Sequence, residues 1–486
     1  MWRPLPEALP AGRQAQGMTS LENFEIHIFR YNHGHSMSTL SPQPSVLSSV
    51  LESSDYTDLY WEKTRSLAMR WEEGKLERLS QNAERGAGVR GLRGDENRYV
   101  ALDNPAPPEL ERMAHDLIKT QAPAPLKSHQ PAVRRPARDV PTEEKVSLLE
   151  RCYRAALLAQ VRQITIVYGE LDKHIRIWTS EGRRTEEWRP MLTFSISVVA
   201  EKDGLLQTAY DSVSGSVGYE FFETTDVVRL SRKVAERAVA RLSAPPAPLG
   251  EMPIVIASEA GGTLIHEAIG HPLEADAVQK GVSPMYKGAI GKVIGHEKVN
   301  VLEDPTMPGV RGFYAFDDEG VPAERVVLVD HGVLKTYLYD RQTARRDGVA
   351  SNGHGRRESY RYRPIPRMAN TFVASGPDDP AMILRSVPNG LLVTKMGGGQ
   401  VEPATGDFVF EVEEGFLIKE GQKGRLIRSA NLLGNGPEVL KAIDLVGTDI
   451  GWSVGTCGKD GQGAPVSDGL PTLRIPKGVV VGGISN

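Results

Sequence analysis

The sequence has only two cysteines, Cys152 and Cys457, among its 486 residues. Two cysteines cannot form the disulfide framework of a small secreted protein, so we expect a chain that works in the reducing cytoplasm. A strong excess of one charge is also missing, because 58 basic residues are balanced by 62 acidic ones. This balance disfavours nucleic acid and anionic membranes as partners.

Long hydrophobic runs are absent as well. No segment approaches the roughly 18 consecutive apolar residues that indicate a membrane-spanning helix. The N-terminal stretch contains Pro4, Pro6 and Pro10 and lacks the apolar core of a signal peptide. We therefore expect neither a membrane segment nor export.

Glycine and proline, in contrast, are plentiful, with 49 and 33 residues. This composition is typical of many turns that join short strands. The chain is otherwise ordinary for a folded protein, since 40% of its residues are hydrophobic and 25% are charged. Because helix-spaced segments also occur, we predict the α+β class.

The distribution of these residues predicts three parts. Residues 1–44 are expected to be a flexible leader that is rich in proline and polar residues. Residues 45–245 are predicted to form an N-terminal α/β domain of mixed strands and helices, with a proline-rich linker at 121–141. Residues 246–486 are predicted to form a larger β-rich domain, because strand-like segments alternate there with glycine. One helix of this C-terminal domain carries the metal motif described below.

Apolar spacing predicts individual elements within the N-terminal domain. Helices are expected over 109–120, from Thr142 onwards, and over 225–242. The second helix places Cys152 on its buried face, so this cysteine is assigned to core packing. Strands with two-residue alternation are expected over 164–168, 174–178 and 192–198, with a hairpin turn at Asp203-Gly204.

The chemistry is concentrated in one short segment. His266, Glu267 and His271 form the pattern His-Glu-x3-His. Histidines four residues apart lie about 40° apart around a helix, whereas five residues place them about 140° apart. The two imidazoles therefore reach one metal ion only if the helix ends or widens into a π-turn. Gly270 and Pro272 allow such a change.

Glu267 follows the first histidine and points away from the metal axis, where it can hold and deprotonate a water molecule as a general base. A catalytic zinc needs three protein ligands and one open position. The candidates for the third ligand are Glu274, Asp276, His296, His354 and Cys457. Cys457 is chemically attractive, because it lies in a glycine-rich turn, 455–461, that lets a thiolate approach a metal closely.

Further motifs accompany this segment along the chain. They are Asp-Tyr-Thr-Asp-Leu-Tyr at 55–60, Gly-Ala-Gly-Val-Arg at 86–90, the histidine segment 264–276, Phe-Asp-Asp-Glu-Gly-Val-Pro at 316–322, Asn-Gly-His-Gly-Arg-Arg at 352–357, Arg-Met-Ala-Asn-Thr at 367–371, and the glycine-rich end from Cys457 to Gly483. In this combination and order, the chain resembles the TldD/PmbA metallopeptidase family over roughly 54–483. The leader and much of the proline-rich linker fall outside the resemblance.

This resemblance implies a zinc peptidase in which His266, His271 and Cys457 bind Zn²⁺ and Glu267 is the catalytic base. It also implies dimers that enclose the active site, and cleavage of unfolded or short peptides. Many family members pair a subunit that has the metal motif with a paralogue that lacks it. This chain has the motif and so resembles the catalytic subunit, and both a homodimer and such a heterodimer remain open.

Two other segments are candidates for substrate binding. Gly397, Gly398 and Gly399 permit the close approach of another backbone, so we expect a peptide to add there as an extra strand, against Gly398 and Gly399 in particular. His354 and Arg356 lie in a loop bounded by glycine. They can bind a peptide carboxylate or stabilise an oxyanion, and a structural salt bridge is an equal alternative.

Two patterns match ligand sites only formally. Gly86-x-Gly88-x-x-Gly91 has the spacing of a dinucleotide fingerprint, but the apolar strand before it and the helix after it are missing. The acidic run 317–319 lacks the ligand spacing of a calcium site, so we expect an exposed turn.

A second function hypothesis is a non-catalytic peptide-binding or regulatory module with a structural zinc. A closed structural site needs a fourth protein ligand, for which Asp276 and His296 are candidates. Glu267 discriminates between the two hypotheses, because a structural zinc does not require a general base.

Overall fold

The structure is a computed structural model that describes residues 54–118 and 123–483. The predicted leader, 1–44, lies outside the described residues. Within them, no helix combines the length and the apolar character needed to cross a membrane. Helices and strands are mixed in the first half of the described chain and strands dominate the second half, which confirms the predicted α+β class.

Seven strands of the first half form one sheet. They are β1 (Tyr56–Glu72), β2 (Lys75–Arg93), β3 (Glu96–Asp103), β4 (Lys127–His129), β5 (Val161–Thr179), β6 (Arg184–Lys202) and β7 (Leu205–Gly215). Their order is β3-β2-β1-β5-β6, and β6 pairs in addition with β4 and β7. All these pairs are antiparallel except β4 with β6. The proline-rich segment thus contributes a short strand to the sheet.

Helices cover this sheet. They span Pro107–Ile118, Thr142–Ala156, Phe221–Thr224 and Val227–Arg241. The apolar stripes of the second and fourth helices pack on the sheet and form one core with it. Cys152 is fully buried in that core, as its helical position predicted.

The second half of the chain contains seventeen further strands. They are β8 (Gly250–Glu251), β9 (Ile254–Ile256), β10 (Val301–Glu303), β11 (Val326–Asp330), β12 (Val333–Leu334), β13 (Gly355–Arg356), β14 (Ile365–Pro366), β15 (Asn370–Val373), β16 (Asn389–Val401), β17 (Asp407–Lys419), β18 (Gln422–Ile427), β19 (Ala430–Asn435), β20 (Leu445–Val446), β21 (Gly451–Lys459), β22 (Gln462–Leu470), β23 (Leu473–Ile475) and β24 (Val479–Gly483). The helices between them span Thr263–Ile265, Ala275–Gln279, Arg341–Asp347, Pro380–Arg385 and Gly436–Ala442.

Two sheets organise this half. One has the order β20-β23-β9-β16-β17-β19-β24-β8, with β18 paired to β17, and the other has the order β12-β11-β10-β15-β22-β21. Buried side chains from both sheets form one continuous core. The segment after β9 leaves the sheet that contains β9 and meets the sheet that contains β22. There the Gly262 amide donates a 3.2 Å hydrogen bond to the Asp468 carbonyl in β22. The histidine motif follows at this crossing.

Most predicted elements are present, although some are longer than predicted. The segments 164–168 and 174–178 both belong to β5, because the residues between them also pair with β1 and β6. The helix predicted over 109–120 spans Pro107–Ile118, and Asp203-Gly204 forms the turn between β6 and β7, with both residues at positive φ. The boundary predicted near residue 245 stays a prediction.

The acidic run 317–319 is not an exposed turn as predicted, because all three carboxyl groups are buried. Arg90 of β2 contacts Glu319 at 2.6 Å, and Arg189 of β6 contacts Asp318 at 2.8 Å. These arginines come from the first sheet, so the buried ion pairs connect it to the second half of the chain. A buried carboxylate requires such partners.

Gly86 and Gly88, which formally match a dinucleotide fingerprint, lie within β2 rather than in a turn before a helix. A Cβ atom at residue 86 would overlap the ring of Tyr360, and one at residue 88 would overlap the hydroxyl of Tyr99. The glycines are therefore required for packing, since two aromatic side chains lie directly against the strand.

Candidate metal centre

The backbone changes its helical form at the histidine motif. A short α-helix, Thr263–Ile265, becomes a π-helical turn over His266–Gly270 and then a 3₁₀ turn over His271–Leu273. This confirms the predicted widening of the helix. Gly270 also allows the sulfur of Met368 to pack against the turn, because a Cβ atom there would overlap it.

The π-helical turn brings the two histidines together. The ring centroids of His266 and His271 lie 5.0 Å apart, and the ring planes are nearly perpendicular, at 88°. Each turn of a π-helix contains an extra residue, so a spacing of five residues returns the second imidazole to the side of the first. His266 is buried, whereas His271 is half-buried.

Cys457 joins the histidines from the other end of the chain. Its Sγ atom lies 3.2 Å from His271 Nε2, and the potential ligand atoms of His266, His271 and Cys457 all lie within 4.8 Å of one another. Cys457 is part of strand β21 rather than of a loop as predicted, and the turn of the hairpin is Asp460-Gly461, with both residues at positive φ. The strand fixes the direction of the thiol more firmly than a loop would.

A carboxylate group lies beside the Nδ1 atom of each imidazole. His266 Nδ1 lies 2.7 Å from Asp468 Oδ1, and His271 Nδ1 lies 2.9 Å from Glu274 Oε2. Lys459 Nζ in turn lies 3.1 Å from Glu274 Oε2. Because each Nδ1 has a carboxylate partner, each Nε2 is free to act as a ligand, which is the usual support of a metal-binding histidine.

The electrostatics of the cluster favour a thiolate next to positive charge. Burial alone would raise the pKa of the Cys457 thiol, but His266 and His271 outweigh burial and lower it well below its ordinary value. Burial acts to lower the pKa of His271, whereas Glu274 and Cys457 raise it, with a net value of about 10. Such a cluster stabilises a cation in contact with a thiolate.

Two imidazoles and one thiolate are a suitable donor set for zinc. With Zn–N distances of about 2.0–2.1 Å and a Zn–S distance of about 2.3 Å, tetrahedral ligand atoms lie roughly 3.3–3.6 Å apart. The 3.2 Å separation of Cys457 Sγ and His271 Nε2 is slightly shorter than this range. Three protein ligands leave one position open, as in catalytic zinc sites.

Glu267 lies within the π-helical turn, between the two histidines in sequence. Its half-buried carboxyl group forms no hydrogen bond or ion pair with the residues that the structure describes. Burial raises the pKa of Glu267, and the neighbouring His266 and His271 act to lower it. The carboxyl group is therefore available to a water molecule or a substrate.

The other candidates for a third ligand do not join the cluster in the described chain. Asp276 contacts Lys459 at 2.5 Å and Lys280 at 3.1 Å. Nδ1 of His296 accepts a hydrogen bond from the Lys298 amide. A closed structural site requires a fourth protein ligand. Asp276 and His296 were the two candidates for it, and neither lies in the cluster.

The predicted substrate-binding residues have different environments. Gly398 and Gly399 lie in β16 and are exposed, and a Cβ atom at residue 398 would meet no atom within 4 Å. His354 is fully buried, and its Nδ1 lies 2.8 Å from the Asn352 carbonyl. Arg356 is also buried and donates to the carbonyls of Met368 and Pro465. Nε2 of His354 has no hydrogen-bond partner among the described residues, but like Arg356 it is buried and therefore not exposed to a peptide.

One side of β16 has no strand partner beyond Val393 among the described residues. The strand pairs with β17 along most of its length, but with β9 only over Leu391–Val393. Strand β16 as a whole also contacts the His266–Gly270 turn, which follows β9 in the chain. An unpaired edge of a sheet presents backbone groups to which an extended peptide can bind.

Sequence reasoning did not identify Asp468 or Lys459, and it considered Glu274 only as a ligand. A carboxylate that supports a histidine has no local pattern, and Asp468 is 202 residues away from His266 in sequence. The position of Glu274 three residues after His271 was a usable signal, because side chains at this spacing are neighbours on a helical turn.

The chain matches three family models that together span most of its length. They are PmbA/TldA metallopeptidase domain 1 over residues 57–119, the central domain over 135–242 and the C-terminal domain over 249–483.

Individual proteins are also similar. A metalloprotease TldD homolog of Haemophilus influenzae is 33% identical over 452 residues, which cover 88% of this chain and 93% of the relative. A zinc metalloprotease TldD homolog of Saccharolobus solfataricus is 29% identical over 344 residues, which cover 70% of this chain and 76% of the relative. The crystal structure of TldE from Thermococcus kodakarensis has the same fold, with a TM-score of 0.71 and 17% identity over 90% of this chain and 99% of that chain.

Proposed function

This chain belongs to the PmbA/TldD metallopeptidase family, and we propose that it is a zinc peptidase that hydrolyses unfolded or short peptides. The observation that carries the proposal is the convergence of His266, His271 and Cys457, with their ligand atoms within 4.8 Å of one another and Glu267 beside them. The name of the Saccharolobus solfataricus relative supports zinc as the metal.

In the proposed mechanism, His266, His271 and Cys457 hold the zinc ion. When bound, zinc supplies Lewis acidity, which polarises the scissile carbonyl and lowers the pKa of water. Glu267 accepts a proton from the attacking water molecule as the water oxygen bonds to the carbonyl carbon. Glu267 then donates this proton to the amine nitrogen as the carbon–nitrogen bond breaks, so the carboxylate is regenerated.

Asp468 and Glu274 keep both imidazoles in position during this reaction. Their hydrogen bonds to Nδ1, at 2.7 and 2.9 Å, fix the orientation of each ring. Lys459 balances the negative charge of Glu274. The thiolate ligand donates more electron density than a carboxylate would, so the metal is a milder Lewis acid and we expect modest turnover.

The metal requirement tests this proposal directly. Treatment of the purified full chain with a zinc chelator is expected to abolish hydrolysis of an unstructured peptide, because the proposed reaction requires the metal. An internally quenched peptide, whose fluorescence increases on cleavage, measures the rate. Addition of one equivalent of Zn²⁺ after removal of the chelator should restore the rate. Full hydrolysis in the chelated chain would contradict a zinc peptidase.

The unpaired edge of β16 is proposed to bind the substrate as an additional strand. Backbone hydrogen bonds to such an edge select extended chains, which supports unfolded or short peptides as substrates rather than folded proteins. Gly398 leaves the strand open at its exposed end, whereas the ring of Phe410 packs against Gly399. A peptide backbone can thus approach Gly398 without meeting a side chain.

Gly398→Val tests this interaction. The new side chain has open space, so the chain is expected to fold normally, but it would lie where the peptide approaches. We expect KM for the unstructured peptide to rise by about tenfold or more, with a smaller change in kcat, since the lost backbone contacts bind ground state and transition state alike. Gln81→Val, at an exposed position of β2, is the matched control and should leave KM unchanged. An unaltered KM in Gly398→Val would exclude this edge as the substrate site.

The family also bears on partners and location. We propose that the chain forms a dimer, either with itself or with a paralogue that lacks the metal motif. Similarity of fold to TldE supports a partner with the same architecture. Two free cysteines, Cys152 and Cys457, are consistent with a reducing cytoplasm as the place of action.

A further inference from the structure

The motif Arg-Met-Ala-Asn-Thr at 367–371 has no role in the proposed mechanism, yet it contacts both halves of the metal centre. Met368 packs its sulfur against Gly270, inside the histidine motif. The neighbouring guanidinium group of Arg367 donates hydrogen bonds to the backbone carbonyl of Cys457 and, at 3.1 Å, to that of Gln462. Adjacent residues therefore touch the segments that supply all three proposed ligands.

Arg367 is fully buried, and the Glu274 carboxylate is near enough to interact with its charge. No carboxylate within the described chain forms an ion pair with it, and its hydrogen bonds end on backbone carbonyls. Burial of a guanidinium group without a carboxylate at contact distance costs free energy, which those hydrogen bonds help to offset. The guanidinium group therefore helps to fix the position of the backbone carbonyls to which it donates hydrogen bonds.

The guanidinium group of Arg367 links strands β21 and β22 at Cys457. Cys457 lies in β21 and Gln462 in β22, on opposite sides of the hairpin turn. One planar guanidinium group reaches both carbonyls, which the single ammonium of a lysine cannot do in the same way. Lys459 fixes the same hairpin from the opposite direction, because its Nζ donates to the Pro366 carbonyl at 3.0 Å. The hairpin and residues 366–367 are thus linked twice.

We propose that Arg367 is a positioning residue that holds the Cys457 thiolate at the distance and direction the metal requires. This inference rests on the proposed zinc function and adds the group that fixes its sulfur ligand. Without Arg367, the end of the β21–β22 hairpin next to Cys457 can shift, whereas the hydrogen bonds of Asp468 and Glu274 to the imidazoles do not include Arg367. The sulfur contact should therefore weaken more than the nitrogen contacts.

Co²⁺ is a suitable probe, because a thiolate bound to it absorbs in the near ultraviolet, whereas its visible bands report overall coordination. Metal-free full-length wild type and Arg367→Met are titrated with Co²⁺. We expect the variant to bind about 10- to 100-fold more weakly, the usual effect of losing a group that supports a ligand. We also expect its thiolate band to lose intensity relative to the visible bands, and Arg367→Lys to restore that ratio in part.

Arg241→Met is the matched control, because Arg241 is also buried and donates at 2.7 Å to a backbone carbonyl, that of Thr208 in the first sheet. This control should keep wild-type affinity and spectrum. Wild-type affinity and band ratio in Arg367→Met, or an equal loss in Arg241→Met, would overturn the inference alone. A wild-type chain that takes up no Co²⁺ would overturn the proposed function together with it. If Arg367→Met does not fold, Arg367→Lys replaces it: we expect a smaller loss of affinity and of the thiolate band, and wild-type values of both would overturn the inference.

Discussion

Glu267→Gln is expected to lower kcat for an unstructured peptide by about 10²- to 10⁴-fold, the usual contribution of a general base, and to leave the zinc content unchanged. Glutamine has the shape of glutamate but cannot accept the proton of water. The described structure gives the Glu267 carboxyl group no hydrogen bond, so the substitution breaks no structural contact there. Steady-state hydrolysis and metal analysis of the same preparation measure both quantities.

The matched control for Glu267 is Glu259→Gln, an exposed carboxyl group eight residues before Glu267 in the segment that leads to the motif. This control should keep wild-type kcat. Undiminished cleavage by Glu267→Gln would remove Glu267 from the mechanism, and it would favour the alternative of a structural zinc in a peptide-binding module.

Cys457→Ser is expected to weaken zinc binding by more than about 100-fold, because the loss of a direct ligand should exceed the 10- to 100-fold effect of losing a supporting group. A serine hydroxyl does not ionise near neutral pH and replaces the thiolate poorly. Hydrolysis should fall with zinc occupancy at low metal concentration. Competition with a chromogenic zinc chelator measures the change in affinity.

The second cysteine provides the control for Cys457. Cys152 is fully buried between a helix and the first sheet, and burial raises the pKa of its thiol to about 11. Cys152→Ser should therefore change the stability of that core but not the affinity for zinc. Full zinc occupancy in Cys457→Ser, measured under the same competition, would exclude Cys457 as a ligand.

The histidine motif could be predicted from the sequence because its causes are local. The spacing of His266 and His271 does not suit an α-helix, and Gly270 with Pro272 permits the wider turn that the structure contains. The burial of Cys152 was predictable for the same reason, since helical periodicity alone assigns it to the inner face.

The third ligand could not be predicted from local pattern. Cys457 is 186 residues away from His271 in sequence. They meet because the segment after β9 hydrogen-bonds to β22, the strand that pairs with β21. Chemistry alone left five candidates, and the family resemblance selected one of them. Asp468 was missed entirely, because it depends on the same long-range pairing.

Long-range partners also explain the misassigned acidic run 317–319. An isolated sequence of three acidic residues is normally exposed, since burial of several carboxylates is costly. Here Arg90 and Arg189 of the first sheet supply the opposite charges, and nothing in the sequence around residue 318 indicates them. The acidic run 317–319 thus joins the two halves of the chain through these ion pairs.

X-ray absorption at the zinc edge of the purified full chain identifies the metal ligands directly. We expect one zinc per chain whose ligands include one sulfur at about 2.3 Å and nitrogens at about 2.0–2.1 Å. This result would match Cys457 with His266 and His271, whose ligand atoms lie within 4.8 Å of one another. A zinc shell without sulfur, or a chain that retains no zinc, would contradict it.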